Sequence, residues 1–464
     1  LPLGLPNTWY RTAFEWPGGD GCGETHRMVG VTLAGSPAMI AGSNSRVAWG
    51  FTNAYGDWTD LVIVEVEGDG YRSPEGVRDF TIRDETIEVA GGEPVPFEVR
   101  STIWGPVIDE DHRGRPRALR WIAHSTEGAN MGLLDLEHVS TVEGAMSAAN
   151  RTGIPPQNFV CADDTGHIGW TIIGSIPTRQ GFTGKVPTSW ADGSRSWTGW
   201  LPPDAYPRIT DPPEGQIWTA NARAVSGGAL DVIGDGGYDL GARAGQIRDD
   251  LLALTDADEH DMLAVQLDDR ALFLTRWRDL VLEVLTDEAV AGQPNRELFR
   301  ELVETSWTGR ASIDSQSYRL VRAFRLNAFD SIYGRVMAPC IEADDRFDIY
   351  RLAQWEDALW WILTERPARL LGGDFATWED LLLSVVDRTI GYFETEVGSD
   401  PELWTWGARN TARIQHPLGR AIPQLSGWFD MAPVSLPGDS SMPRVQAPTF
   451  GASERFAVSP LSLI

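Results

Sequence analysis

The pattern of apolar residues changes near residue 245, and this change limits the fold classes open to the chain. Before it, short apolar runs such as residues 61–64 and 168–173 stand between Gly, Pro, Asn and Ser, which predicts strands joined by tight turns. After it, longer runs at residues 271–285 and 355–363 have helical spacing. From residue 401 on, Pro, Gly and Ser again punctuate the chain. The sequence therefore predicts a mixed α+β protein.

These patterns divide the chain into three expected segments. Residues 1–245 would form a strand-rich core, residues 246–400 a helical insertion, and residues 401–464 a return to the core. Within the helical segment, Thr255 is followed by acidic residues and then by an apolar periodic run, which predicts Thr255 as the residue that caps a helix.

Charge and hydropathy exclude some partners. The chain has 39 Lys and Arg against 66 Asp and Glu, a formal net charge of −27 that repels a nucleic-acid backbone. No apolar run approaches the roughly 18 residues that cross a membrane. We therefore expect neither nucleic-acid binding nor membrane insertion. The three cysteines, Cys22, Cys161 and Cys340, are far apart and predict neither a disulfide framework nor a zinc site, although one bridge could form.

The common catalytic motifs are absent from the sequence. There is no Gly-x-Ser-x-Gly, His-Glu-x-x-His, P-loop or Gly-x-Gly-x-x-Gly motif. The seven histidines show no metal-ligand spacing. A serine hydrolase with a Ser-His-Asp triad, a zinc protease and a nucleotide-binding fold therefore have no specific support.

The most distinctive stretch is residues 49–61, Trp-Gly-Phe-Thr-Asn-Ala-Tyr-Gly-Asp-Trp-Thr-Asp-Leu. A strand is expected to end there in a Gly-flanked turn, and backbone amides in a rigid turn suit a developing oxyanion. Asp57 and Asp60, with the carbonyl of Thr59 between them, suit a hard cation such as Ca²⁺. The same residues also fit a turn whose Asp side chains only accept hydrogen bonds from backbone amides.

Two further stretches hold polar side chains between apolar ones. In residues 218–223, Asn221 offers an amide donor and Arg223 a guanidinium fork for an anion, although an Asn that simply closes a turn fits as well. Residues 155–179 predict a strand, a tight turn and a second strand, with a structural role in the core.

Taken in this order, the segments resemble the penicillin acylase family, that is, the β chain of the N-terminal-nucleophile (Ntn) amidohydrolases. Penicillin, cephalosporin and acyl-homoserine-lactone acylases belong to that family, and the resemblance covers nearly the whole chain. It is carried by Pro6-Asn7-Thr8-Trp9-Tyr10, Gly42 with Asn44, residues 48–53, Gln157-Asn158, Gly166 with Ile168-Gly169-Trp170, Thr219-Ala220-Asn221, and Trp406-Gly407 with His416-Pro417.

The resemblance implies a fold, a reaction and a partner. The implied fold is the Ntn-hydrolase αββα sandwich of antiparallel sheets with a helical insertion. The implied reaction is hydrolysis of a small, non-peptide linear acyl amide through an acyl-enzyme on an N-terminal Ser, whose own α-amine is the base. In the family, an inactive precursor cleaves itself into an α chain and a β chain that stay together, often in the periplasm. A periplasmic or secreted αβ heterodimer is therefore expected.

The resemblance also assigns roles to residues of this chain. The backbone N–H of Asn53 and the side-chain amide of Asn221 would stabilise the oxyanion. A structural Ca²⁺ would be held by Asp57, the carbonyl of Thr59, Asp60 and Asp235. A further functional arginine is expected a few residues before an Ile that follows Asn221; Arg243 before Ile247 matches, with Arg248 close by.

The start of the chain departs from the family pattern. Leu1 has neither a hydroxyl nor a thiol, so the expected nucleophile would lie about twenty residues ahead of it, and this chain alone would be inactive. Two alternatives stay open. One is a binding or scaffold protein of the same ancestry that has lost its nucleophile. The other is a β-rich carbohydrate-binding protein, suggested by the Trp, Asp and Gly content.

Overall fold

A computed structural model describes residues 2–3, 8–18, 25–36, 38–448 and 456–458. The expectations for Leu1, for Cys22 and for Pro6-Asn7 lie outside the described residues. The chain divides into two compact units. Arg11–Tyr238 is called the strand unit below, and Leu1–Tyr10 with Asp239–Ile464 is called the helix unit. The predicted three-segment division stays a prediction.

A seven-stranded sheet forms the main layer of the strand unit. Its strands from Arg208–Thr210 to Thr25–Leu33 pair antiparallel, and Gln157–Asp163 lies between Val47–Asn53 and Ile168–Ile173. The predicted strand-turn-strand over residues 155–179 is confirmed by this pairing. The order across the sheet is Arg208–Thr210, Ile168–Ile173, Gln157–Asp163, Val47–Asn53, Ala41–Ser43, Thr25–Leu33 and Trp9–Pro17.

A second sheet of the strand unit has six strands. One pair is parallel, between Thr188–Ser189 and Thr59–Ile63, and the others are antiparallel. Its order is Thr81–Ile87, Val95–Thr102, Gly105–Glu110, Pro116–Trp121, Thr59–Ile63 and Thr188–Ser189. A smaller ribbon pairs Pro177–Gln180 with Ser196–Trp200. In a three-stranded ribbon, Gly70–Ser73 lies between Val66–Glu67 and Gly76–Asp79 and pairs with both.

One helix, Val142–Ala149, covers the seven-stranded sheet. It begins where the Thr141 hydroxyl accepts a hydrogen bond from the Gly144 amide. Its apolar side, including Met146, packs with sheet residues such as Phe159 in one buried cluster. The remaining helical turns of this unit are Ile122–His124, Thr126–Gly128, Gly132–Glu137, Pro203–Ala205 and Gly227–Ile233.

The helix unit has its own apolar core, centred on side chains such as Trp277, Phe324 and Leu382. Its α-helices are Ala242–Ala253, Glu259–Gln266, Leu272–Val284, Asp287–Val290, Pro294–Thr305, Gln316–Val336, Ala338–Ala343, Trp355–Glu365, Ala368–Leu371, Trp378–Tyr392, Trp406–Arg409, Pro417–Ala421 and Ser426–Phe429. The segments Ile349–Arg351, Pro401–Trp404 and Pro423–Leu425 are 3₁₀ turns, and Phe393–Val397 is a π-helical turn. Its strands are Pro2–Leu3, Thr411–Ala412, Val434–Ser435, Gln446–Pro448 and Phe456–Val458.

The structure tests several expectations about the helices. The helices predicted at residues 271–285 and 355–363 are confirmed as Leu272–Val284 and Trp355–Glu365. The prediction that Thr255 caps a helix is wrong. Asp258 is the cap of Glu259–Gln266, where its carboxylate accepts from the amide of Asp261 and the Asp261 carboxylate accepts from the amide of Asp258. Among the helices of the described residues, none is both long and apolar enough to cross a membrane.

Candidate functional site

The turn that follows the strand Val47–Asn53 is fixed to a neighbouring segment of the strand unit. The carbonyl of Tyr55 accepts a hydrogen bond of 2.8 Å from the Gly236 amide, and the Asp57 amide donates one of 2.9 Å to the Ile233 carbonyl. A Cβ on Gly236 would lie 2.2 Å from the Gly56 carbonyl oxygen, so only glycine permits this approach. These bonds give the turn after Asn53 a defined backbone.

The structure brings together the two predicted oxyanion residues, which lie 168 positions apart in the sequence. The Asn221 side-chain nitrogen donates to the Asn53 carbonyl oxygen at 3.1 Å. Asn221 has a φ of 65°, in the left-handed region that Asn tolerates better than most residues. The backbone of Asn53 and the carboxamide of Asn221 therefore share one small region of the strand unit.

A series of hydrogen-bonded, buried polar side chains lies next to this region and bonds to the Asn53 carbonyl. The indole N–H of Trp170 donates to Asn158 Oδ1 at 3.0 Å, so the Asn158 nitrogen faces the other way. That nitrogen donates to the Thr52 hydroxyl at 3.0 Å and to the Asn53 carbonyl at 3.3 Å. The Thr52 hydroxyl then donates to Thr219 at 3.0 Å. Two carboxamides, Asn158 and Asn221, thus hold the same carbonyl oxygen.

Asp57 and Asp60, which follow the turn, share one arginine. Arg179 Nη2 lies 3.0 Å from Asp57 Oδ1, and its Nε lies 2.8 Å from Asp60 Oδ2. Nη2 also donates to the Asp57 carbonyl at 3.1 Å. The indole N–H of Trp197 donates to Asp60 Oδ2 at 2.6 Å. The Asp60 side chain is only 3% exposed, so this carboxylate needs these donors.

Burial sets the protonation of the two carboxyl groups. It raises the pKa of Asp57 to about 6, against the opposing positive charge of Arg179 and with a further rise from the charge of Asp60. Burial likewise raises the pKa of Asp60, and again Arg179 acts in the opposite direction. The arginine therefore compensates for only part of the desolvation of two carboxylates.

The four predicted calcium ligands do not form one cluster. Asp57 and Asp60 bind Arg179, and the Thr59 amide donates to the Asp57 carboxylate. Asp235 instead pairs with Arg223 at 3.0 Å. Within the described residues, no group of three or more His, Cys, Asp and Glu side chains is arranged to hold a metal ion. As described, these residues do not fit a calcium ion.

Arg223 and Asp235 form a separate ion pair near the surface. Although burial acts to raise it, the pKa of Asp235 is lowered by hydrogen bonds from the Gly237 amide and from Arg223. The Arg223 guanidinium also lies 5.8 Å from the ring centre of Tyr238. A role for Arg223 in holding an external anion would compete with its pairing to Asp235.

Arg243 belongs to the helix unit, in the helix Ala242–Ala253. It is buried, and its Nη2 lies 2.6 Å from the Asp239 carboxylate, four residues earlier. Its predicted functional role stays a prediction, as do the roles assigned to Asn53, Asn221 and Arg223.

Sequence reasoning missed the residues that support the turn. Arg179 and Asn158 lie in residues 155–179, for which the sequence predicts a structural role in the core, and no motif marks Trp197. The sequence does contain one indication of the role of Arg179. This arginine lies in a predicted strand pair bounded by Gly and Pro, and a buried arginine needs a nearby carboxylate. The sequence does not reveal which carboxylate that is.

Comparison with known proteins gives the family context. The family model described as "Penicillin amidase" matches residues 1–462. Acyl-homoserine lactone acylase QuiP of Pseudomonas aeruginosa is 26% identical over 97% of this chain and 57% of its own length. Penicillin acylase 2 proenzyme of Pseudomonas sp. strain SE83 is 28% identical over 92% of this chain and 56% of its own length. The chain thus spans a little over half the length of these curated relatives.

A solved structure confirms the predicted fold class. A thermostable penicillin G acylase from Alcaligenes faecalis matches with a TM-score of 0.62 and 18% sequence identity, over 86% of this chain and 76% of that one. At this identity the likeness concerns the fold alone. The mixed α+β architecture with antiparallel sheets and many helices is the predicted fold class, and it matches the fold of this penicillin G acylase.

Proposed function

Because the chain belongs to the penicillin amidase family, we propose that the protein containing it hydrolyses a non-peptide linear amide and releases an amine and a carboxylic acid. The observation that carries the proposal is the contact between Asn221 and Asn53, since an oxyanion site needs a backbone amide and a side-chain amide within reach of one atom. The family assignment supplies the reaction class, and the geometry supplies the candidate residues.

In the proposed reaction, the nucleophile is an N-terminal Ser outside this chain. Its hydroxyl oxygen attacks the amide carbonyl carbon, and its α-amine accepts the hydroxyl proton. The negative charge that develops on the carbonyl oxygen is stabilised by the N–H of Asn53 and by the carboxamide of Asn221. The proton then passes to the leaving amine, and water hydrolyses the acyl-enzyme to the acid.

The buried polar side chains next to the turn give this site its rigidity. An oxyanion donor contributes most when it is already oriented before the reaction, so that no reorganisation is needed. The carbonyl of Asn53 accepts from both Asn158 and Asn221, and the Asn158 nitrogen also donates to the Thr52 hydroxyl. Asn158 thus bonds to both residues that flank the peptide carrying the Asn53 N–H. We therefore assign Asn158 a positioning role in the proposed site.

The proposal extends to the partner, the substrate class and the compartment. Relatives are named acyl-homoserine lactone acylase and penicillin acylase proenzyme, so we propose a small acyl amide as substrate and an α chain from the same precursor as partner. We further propose that the protein is made as an inactive precursor, cleaves itself, and works in the periplasm or outside the cell.

The test uses the longest coding sequence that contains this chain. We expect the purified product to separate into two chains and to release acid from phenylacetyl anilides or from acyl-homoserine lactones. Asn221→Ala should lower kcat by about 10²- to 10³-fold, because one oxyanion donor is lost. Asn295→Ala removes an exposed amide of the helix unit that bonds to Glu394, and it serves as the matched control with unchanged turnover.

Two outcomes would contradict the proposal. An Asn221→Ala protein with full turnover would remove Asn221 from the oxyanion site. A whole protein that neither cleaves itself nor hydrolyses any acyl amide would favour the alternative of a binding or scaffold protein of the same ancestry.

A further inference from the structure

The side chain between Asp57 and Asp60 is itself a cation. We propose that the guanidinium of Arg179 is the permanent counter-ion of these two carboxylates, so that the turn does not depend on a bound divalent ion, and that removing Arg179 creates a calcium-dependent site. This inference concerns the folding of the strand unit and does not rest on the proposed reaction.

The contacts of Arg179 use the oxygen atoms that a cation would need. The guanidinium bonds to Asp57 Oδ1, to the Asp57 carbonyl and to Asp60 Oδ2. Asp60 Oδ2 also accepts from Trp197. Ca²⁺ takes six to eight oxygen ligands at about 2.3–2.6 Å. A guanidinium bonded to three oxygens of this turn occupies the space between the two carboxylates and repels a second cation.

The packing around the pair leaves little room beside the guanidinium. A Cβ on Gly184 would lie 2.5 Å from Asp57 Oδ2 and 2.8 Å from Arg179 Nε. A Cβ on Gly234 would lie 2.5 Å from Asp57 Cβ. The backbone at Gly184 therefore packs directly against Asp57 and Arg179, and the backbone at Gly234 packs against Asp57. The Arg179 side chain is 12% exposed and that of Asp57 is 14% exposed, which makes the ion pair an internal one.

Charge explains why removal of Arg179 should recruit a metal. With Arg179 in place, two carboxylates and one guanidinium carry a net charge of about −1. Without it, a charge of about −2 remains in a largely buried site, and its desolvation is no longer compensated. The lost side chain also opens space between the Asp57 and Asp60 oxygens. A hard divalent cation of suitable size then lowers the free energy of the folded state.

The experiment compares thermal unfolding with millimolar CaCl₂ and with EDTA. We expect the melting temperature of the unchanged protein to be the same in both. Arg179→Met should melt lower in EDTA and regain about 4 °C or more with CaCl₂, and MgCl₂ should be less effective because Mg²⁺ demands a tighter octahedral site. Arg117→Met removes the ion-pair partner of Asp109 in the same unit and should melt lower without any response to calcium.

Calcium titration by calorimetry gives a second readout. We expect no heat of binding with the unchanged protein and one site per chain with Arg179→Met, lost again in the double variant Arg179→Met, Asp57→Asn. Calcium binding by the unchanged protein that disappears in Asp57→Asn would overturn the first half of the proposal. An Arg179→Met chain that stays unfolded or unresponsive with calcium present would overturn the second half.

Discussion

The orientation of the buried Asn158 carboxamide is defined by Trp170. The indole N–H of Trp170 can only donate, so the atom that it bonds is Asn158 Oδ1 and not the nitrogen. Asn158→Asp keeps the shape of the side chain but replaces the donor nitrogen by an acceptor oxygen. That oxygen would face the hydroxyl of Thr52 and the carbonyl of Asn53. We expect the free energy of unfolding at neutral pH to fall by about 3–5 kcal/mol, as for other unpaired buried charges. Urea unfolding followed by circular dichroism measures the loss.

The same variant should respond to pH. Burial favours the neutral form of the introduced carboxyl group, so its pKa in the folded state lies above that in the unfolded chain. The destabilisation is therefore present above the folded-state pKa and is relieved as the pH falls through it. Relative to the unchanged protein at each pH, part of the loss should be recovered between about pH 7 and pH 5. Equal stability at neutral pH would show that the Asn158 nitrogen does not face these acceptors.

The two described thiols should differ in reactivity. Cys161 is 3% exposed, and burial together with the charge of Asp163 raises its pKa to about 12. Cys340 is exposed. Because the thiolate is the nucleophile, raising the pH to about 9 should leave Cys161 unmodified in the folded protein. Iodoacetamide labelling and peptide mass spectrometry should find Cys340 modified first and Cys161 modified only in urea. Equal labelling rates in the folded state would contradict this.

At the scale of single elements, the helix Glu259–Gln266 depends on its cap. The Asp258 carboxylate accepts from the amides of His260 and Asp261, two of the groups that a helix start leaves without a partner. Asp258→Ala should cost about 1 kcal/mol of unfolding free energy. Thr255→Ala is the matched control and should cost almost nothing, since Thr255 is exposed and lies ahead of the cap. Chemical denaturation of both variants distinguishes them, and a larger effect of Thr255→Ala would restore the sequence-based prediction.

Elements were predictable where the information is local. Apolar spacing alone indicates Leu272–Val284 and Trp355–Glu365, because each helix buries one stripe of its own residues. The exact cap was not predictable, since Thr255 and Asp258 are both good capping residues a few positions apart. The choice depends on where the preceding chain turns, which the spacing of apolar residues does not specify.

The candidate site was predictable only in part, because its contacts join distant segments. Asn53 and Asn221 could be named from the family resemblance, and their separation of 168 positions could not be bridged by any pattern in the sequence. The pairing of Arg179 with the Asp57 carbonyl spans 122 positions. An arginine in a strand predicts that some carboxylate lies nearby, but the register of two sheets decides which one.

Ion pairs between residues far apart in the sequence also stabilise the helix unit. Glu356 is 2% exposed and lies 3.0 Å from Arg276 and 2.7 Å from Arg325, so it joins three helices. Glu356→Gln keeps the volume but leaves two guanidiniums without a counter-charge, and we expect a loss of about 3–5 kcal/mol. Asp374→Asn, at the exposed pair with Arg335, should cost less than about 1 kcal/mol. Urea unfolding measures both losses, and hydrogen exchange should show reduced protection in the three helices for Glu356→Gln only. Equal effects of the two variants would mean that this buried pair contributes no more than a surface one.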